Sequence, residues 1–175
     1  MSHEHIELRD SPIAGRGVFA TRHIKAGEVV FTAHPDDIKY EIDAVYAMPP
    51  DQRDAILYYT WQCGPTTLCL DGGIGRYQNH SCDPNTWWIN EDTTVARRDI
   101  AAGEEVTCDY GAFMMSVPYD MPCNCGAANC RGRITHRDYL DSRFQRTHGD
   151  HVPPYIRDAI NAAKLSVQTD LDVKA

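Results

Sequence analysis

No run of apolar residues in this sequence approaches the roughly 20 that a membrane-crossing helix needs. Its first ten residues, Met1–Asp10, alternate His, Glu and Arg with isolated Ile6 and Leu8. No apolar h-region is present there, so no secretory signal is expected. The expectation is a cytoplasmic chain without a membrane partner, and a nuclear or host-cell location depends on the source. Positive charge is scarce too: 17 Lys and Arg stand against 25 Asp and Glu, a formal charge of −8. That balance disfavours nucleic acid as a partner and suits a cationic one, such as a Lys/Arg-rich peptide. A second Cys-x-x-Cys pair is missing, which counts against a zinc-ribbon nucleic-acid binder. The cysteines number seven, and an odd count in a reducing compartment argues for metal ligands and buried thiols over a disulfide framework. Cys63 and Cys69 are expected to be such thiols. No linker divides the 175 residues, and an apolar fraction of 42 % suffices for one core.

What is present reads first as short strands between glycine turns. Ile6–Leu8, Val18–Ala20 and Val29–Thr32 are strand candidates, separated by Gly15-Arg16-Gly17 and Ala26-Gly27. One phrase recurs: Ile24-Lys25-Ala26-Gly27-Glu28-Val29-Val30 is echoed by Ile100-Ala101-Ala102-Gly103-Glu104-Glu105-Val106. Two short copies indicate repeated turn chemistry within one sheet-rich domain, not a solenoid. Pro49-Pro50-Asp51 predicts a helix with Asp51 as N-cap, giving way to a strand near Tyr58. Thr93–Ala96 and Trp87–Ile89 predict a hairpin, and Met114–Pro122 a loop. Helical spacing follows over Asp138–Arg146, and Pro153-Pro154 opens a final amphipathic helix whose last ten residues are polar and expected to fray.

Three segments concentrate groups with chemistry. Arg76-Tyr77-Gln78-Asn79-His80-Ser81-Cys82-Asp83-Pro84-Asn85 packs polar, turn-forming and metal-binding side chains densely. Gly15-Arg16-Gly17-Val18-Phe19-Ala20 is a glycine turn that lets backbone approach a ligand. Gly103-Glu104-Glu105-Val106-Thr107-Cys108-Asp109-Tyr110-Gly111 ends in an Asp-Tyr pair. Each alone has an ordinary explanation: an Asx turn, a strand entry, a core tyrosine. Cys123-x-Cys125, with Cys130 five residues later, supplies three thiols that can converge on one ion. A tetrahedral site needs a fourth ligand, and the residues alone leave Cys82, His136, Cys108, Cys63 and Cys69 open.

Together and in this order, the motifs resemble those of SET-domain protein-lysine methyltransferases with a zinc-binding post-SET region. The resemblance covers roughly residues 7–137. It implies a mostly β fold with short helices, several small sheets and a knot-like C-terminal threading. It implies a SET domain over residues 5–112 with a variable insert near 36–75, a post-SET zinc segment over 113–137, and a helical extension over 138–175. The family's chemistry implies S-adenosylmethionine as cofactor, with Arg16, Gly17, Val18, Arg76, Asn79, His80 and Tyr110 around it. Tyr110 takes the place of the family's catalytic tyrosine. Tyr59, Trp61 and Cys108 fall at the lysine channel, although Tyr58 is an equal candidate for the position of Tyr59. The post-SET pattern implies that Cys82 completes a Cys₄ zinc site with Cys123, Cys125 and Cys130. The implied activity is methyl transfer to lysine in a basic protein, a histone or another. A non-catalytic SET-like module that binds basic peptides is the alternative, against which the retention of Tyr110, Asn79 and His80 counts.

Overall fold

The computed structural model of the chain describes the backbone of residues 5–172 and side chains through Ser166. The two copies of the recurring phrase lie side by side. Gly27 and Gly103 adopt φ of 82° and 83°, the left-handed region that favours glycine. Ile24 and Ile100 then exchange backbone hydrogen bonds of 2.9 and 2.8 Å as an isolated antiparallel bridge. Both isoleucines are buried, so the turn chemistry seen in the sequence pins two distant segments to one core.

Among the described residues, four small antiparallel sheets follow. In the first, β1 (Ile6–Asp10) and β9 (Glu105–Val106) flank β2 (Arg16–Ala20), with Val18 opposite Leu8 and Val106. In the second, β3 (Val29–Thr32) and β7 (Thr86–Trp88) flank β8 (Thr93–Ala96), as the expected hairpin. In the third, β4 (Ile38–Glu41) and β5 (Thr60–Gln62) flank β6 (Thr67–Leu70). The fourth pairs β10 (Asp120–Pro122) with β11 (Arg133–Thr135). Strand β10 lies within the 114–122 segment expected as loop: exposed Met121 and Pro122 carry no alternating pattern, and only pairing with β11 makes a strand there.

The helices are α1 (Ile42–Tyr46), α2 (Pro50–Tyr59), α3 (Ser142–His148) and α4 (Pro154–Asp172). Helix α2 begins earlier than expected. Pro49 is the N-cap and Pro50 the first helical residue, where a missing N–H costs nothing; Asp51 sits inside the first turn. The strand begins at Thr60, two residues beyond Tyr58. The expected helix over 138–146 is broken instead: a single 3₁₀ turn covers Asp138–Leu140, and Asp141 then caps α3, accepting bonds from Arg143 and Phe144 N–H at 2.7 and 3.1 Å. Helix α4 continues into the stretch expected to fray, as far as Asp172; residues 173–175 lie outside the described residues.

Two apolar cores result. One gathers Ile6, Val18, Ala20, Ile24, Val30, Ile100 and Val106 under the first two sheets. The larger joins Leu68 of β6 to Trp88, Cys108 and Phe113, and to Phe144, Tyr155, Ile156 and Ile160 of the last two helices. No described helix is long and apolar enough to cross a membrane.

Cys63 and Cys69, expected as free thiols, are joined in a disulfide. The β5–β6 hairpin explains this: Gln62 pairs with Leu68 and Trp61 with Cys69, placing the two cysteine Cα atoms 5.8 Å apart, within bridging range.

Candidate active site and metal centre

A cavity of about 1190 Å³ opens between the glycine turn, the Arg76–Asn79 segment, the Tyr110 loop and the junction of α2 with β5. Arg16, Arg76, Asn79, Tyr59, Trp61, Cys108 and Tyr110, all singled out from the sequence, line it. Gly17, Val18 and His80 do not reach the lining; they sit one layer behind.

Gly17 shows why glycine stands in that layer. A Cβ there would lie 2.2 Å from Glu105 Oε1 and 3.0 Å from Asn79 Nδ2. Those two atoms are the clamp of the turn. Glu105 accepts bonds from Ser11 Oγ and Asn79 Nδ2, both at 2.8 Å, and Asn79 Nδ2 also lies 3.1 Å from the carbonyl oxygens of Ala14 and Arg16. Asn79 thus commits its amide to shaping the turn. Val18, fully buried in β2, belongs to the first core.

Arg16 and Arg76 meet aromatic faces on the same wall. Arg76 lies 5.7 and 5.2 Å from the ring centres of Tyr59 and Tyr77, and Arg16 lies 6.0 Å from Tyr77. This wall offers two guanidinium groups and flat apolar surface, a fit for a molecule carrying both a carboxylate and an aromatic base. Thr60 Oγ1, Thr94 Oγ1 and Tyr119 Oη, from residues of the cavity wall, are buried without a hydrogen-bond partner in the protein. Polar groups of a bound molecule therefore have positions to meet. Asp36, Asp37, Asp71 and Asp92 also line the cavity.

Tyr110 lies within the cavity's inner wall. Its hydroxyl donates to the carbonyl oxygen of Gln78 at 3.1 Å, which commits the proton and leaves the oxygen lone pairs as acceptors. Burial pushes its pKa well above the usual tyrosine value, so the group is a neutral hydroxyl at physiological pH. Its backbone N–H donates to His80 Nδ1 at 3.2 Å. Burial lowers the His80 pKa to about 4, so the ring is neutral, and with Nδ1 accepting, Nε2 carries the proton toward Cys82 Sγ, 3.3 Å away. Histidine 80 thus links the Tyr110 loop to the sulfur cluster.

The Sγ atoms of Cys82, Cys123, Cys125 and Cys130 all lie within 4.8 Å of one another. The rival donors are placed elsewhere: Cys63 and Cys69 bind each other, the His136 ring meets the Tyr119 carbonyl, and Cys108 is buried beside Tyr110. Backbone N–H groups of Cys82, Arg131 and Gly132 point at the sulfurs of Cys125, Cys82 and Cys130, at 3.5, 3.3 and 3.4 Å. Burial raises the Cys82 pKa to about 11; Cys125 is held near 7 by N–H donors despite its own burial. Four soft donors with N–H groups aimed at them fit a closed tetrahedral zinc.

Between the two sites lies a residue the sequence reading passed over. Asp109, with no side-chain exposure, accepts bonds from Arg131 Nη1 and Nη2 at 2.7 and 2.8 Å and from the Gly111 N–H at 3.0 Å. His148 Nε2 of α3 approaches it at 3.2 Å. Burial opposes the charge, but Arg131 and His148 hold the carboxyl well below the usual range. Nothing in the sequence marks His148 as its partner, because the two are brought together only by the fold.

The SET-domain family model matches residues 15–111, more than half of the chain. Among similar proteins, Histone-lysine N-methyltransferase ASHR3 of Arabidopsis thaliana is 43% identical over 119 residues, covering 62% of this chain and 22% of that protein. Histone-lysine N-methyltransferase trr of Drosophila melanogaster is 30% identical over 136 residues, covering 73% of this chain and 6% of that protein. Histone-lysine N-methyltransferase ASHH3 of Arabidopsis thaliana is 31% identical over 142 residues, covering 74% of this chain and 38% of that protein. This chain therefore spans well under half of the length of these relatives. A solved structure, KRYPTONITE in complex with mCHG DNA and SAH, superposes with a TM-score of 0.52 at 24% identity, covering 73% of this chain and 28% of that one. That likeness is one of fold.

Proposed function

We propose, from the premise that this chain belongs to the SET-domain family, that it transfers methyl groups from S-adenosylmethionine to the ε-amine of lysine in a basic protein. The observation that carries the reading is the neutral Tyr110 hydroxyl, set in a cavity that guanidinium, aromatic and aspartate side chains line together. The relatives' names support a histone as one such substrate.

S-adenosylmethionine would supply a methyl group activated on a sulfonium. Arg16 and Arg76 are suited to its carboxylate and Tyr77 to its flat base, and the clamp on Gly17 keeps the turn open beside it. The chain's own part is orientation and electrostatics. Asp36, Asp37, Asp71 and Asp92 attract a cationic peptide. Lysine, with an ordinary pKa of about 10.4, must shed a proton before its nitrogen can attack. The apolar lining, including Trp61 and Phe113, favours that loss by desolvation. Tyr110, its proton committed to Gln78, offers an acceptor oxygen that orients the reacting groups. Zinc held by Cys82, Cys123, Cys125 and Cys130 would be structural, joining the Cys82 loop to the 123–130 segment. Cys108, buried in the cavity wall two residues before Tyr110, is smaller than an aromatic side chain and leaves room for transfer beyond the first methyl.

The test is mass spectrometry of a panel of lysine-rich proteins, incubated with the protein and methyl donor, beside Tyr110→Phe. Methylated lysine is expected with the parent and a large loss with the variant. No transfer to any substrate refutes the reading, and full activity of Tyr110→Phe refutes the role given to the hydroxyl.

A further inference from the structure

Helix α4 lies outside the segment matched to the family, yet it reaches both walls of the cavity through one side chain. Tyr155, buried in the larger core, places its hydroxyl 2.5 Å from the carbonyl oxygen of Gln62 and 2.7 Å from that of Phe113. Gln62 ends β5, the strand that carries Trp61 into the cavity, and Phe113 follows the Tyr110 turn. The two rings borne by these segments, Trp61 and Phe113, are 6.4 Å apart, and Phe113 is 5.8 Å from Tyr110. We infer that Tyr155 acts as a strap that fixes the spacing of the β5 and Tyr110 walls, and so is a positioning residue that limits how many methyl groups one lysine receives. This rests on the methyltransferase reading above.

A hydroxyl has one hydrogen, which two carbonyl oxygens share here. Without it, two buried carbonyl dipoles face each other with no donor between them, and the walls part. Burial keeps the phenol protonated, since it pushes the Tyr155 pKa well above its ordinary value. The buried side chain of Gln62 reinforces the same junction: its Oε1 accepts from the N–H of Met115 and Ser116 at 2.9 and 3.0 Å. Gln62 and Tyr155 therefore hold the same two segments from different sides. Phe144, Ile156 and Ile160 pack the helix in the same core, so removing only the hydroxyl leaves α4 in place.

The experiment compares Tyr155→Phe with the parent, in the full chain, on a lysine peptide drawn from a substrate that the parent methylates. Product masses give the ratio of higher methylated forms to monomethyl-lysine over time. Losing one buried hydrogen bond is expected to raise that ratio roughly fivefold, with the KM for methyl donor unchanged. Amide exchange read by mass spectrometry is expected to quicken over residues 60–63 and 113–116. Ile160→Val, which thins the same helix packing without touching the strap, serves as the control for general loosening. An unchanged product ratio in Tyr155→Phe, or the same shift in Ile160→Val, overturns the inference while leaving the methyltransferase reading intact. A parent that methylates no substrate overturns both.

Discussion

Replacing Asp109 with Asn separates the buried charge network from the shape of the side chain. In the parent, the carboxylate meets Arg131 through two hydrogen bonds and His148 through a third, with no solvent exposure of its own. Removing one partner of a buried ion pair costs about 3–5 kcal/mol, because the remaining charge stays buried without compensation. Asp138 remains 3.1 Å from Arg131, and Asn keeps one acceptor, so the lower end applies. A loss of about 3 kcal/mol corresponds to a fall in Tm of about 6–12 °C for a chain of this size. Asp120→Asn is the contrast: its ion pair with Arg133 is more than half exposed on both sides, so a change of about 1 kcal/mol or less is expected. The assay is calorimetric unfolding of zinc-loaded protein. The sign of its pH dependence follows from the depressed carboxyl. Stability from Asp109 is present above the unfolded carboxyl pKa of about 3.9 and is lost as pH falls through the native value, so the gap between parent and Asp109→Asn narrows on acidification. Equal Tm values for Asp109→Asn and parent at neutral pH would refute the network's role.

Three further outcomes are expected. Thiol titration in denaturant with chelator, without reductant, should find five reactive thiols; finding seven would mean that Cys63 and Cys69 are not joined. Freshly purified protein should carry about one zinc per chain, and its removal should lower Tm and activity together; a chain that keeps both without metal would overturn the Cys₄ assignment. The pH profile of kcat/KM should rise with deprotonation of substrate lysine and show no decline at pH about 10, because burial keeps the Tyr110 hydroxyl protonated. A decline there would place its titration at the ordinary tyrosine value.

Local chemistry made parts of this architecture legible in the sequence. Gly27 and Gly103 announce turns that only glycine enters easily, and the apolar residues after them read as strands because alternate faces are buried. Pro50 announces a helix, but the cap falls on Pro49 and not on Asp51, because a proline at the first helical position sets the start ahead of the carboxylate. Most residues that the family motifs point to are gathered around one cavity and one sulfur cluster, whereas Gly17, Val18 and His80 stand behind the lining. What stayed hidden depends on distance along the chain. Asp109 looks like half of an Asp-Tyr pair until Arg131 and His148 arrive from other elements. Tyr155 looks like one more apolar position on an amphipathic helix until its hydroxyl is placed between two carbonyl groups. The Cys63–Cys69 bridge follows from a hairpin register that spacing alone does not reveal.

The pairing of β2 with β9 sets a timetable for synthesis. Val18 leaves the ribosome long before Val106, its partner across the sheet. At about 5–20 residues per second, β2 has one edge unpaired for on the order of ten seconds. That edge is a template for any other extended segment nearby. The glycine turn and its Asn79 clamp cannot close until Glu105 has followed them out, and the Tyr110 loop waits longer still for His148 and Tyr155. No nascent fragment holds a finished site. Synthesis of this chain thus includes an interval in which its sheet edges are open to other extended segments.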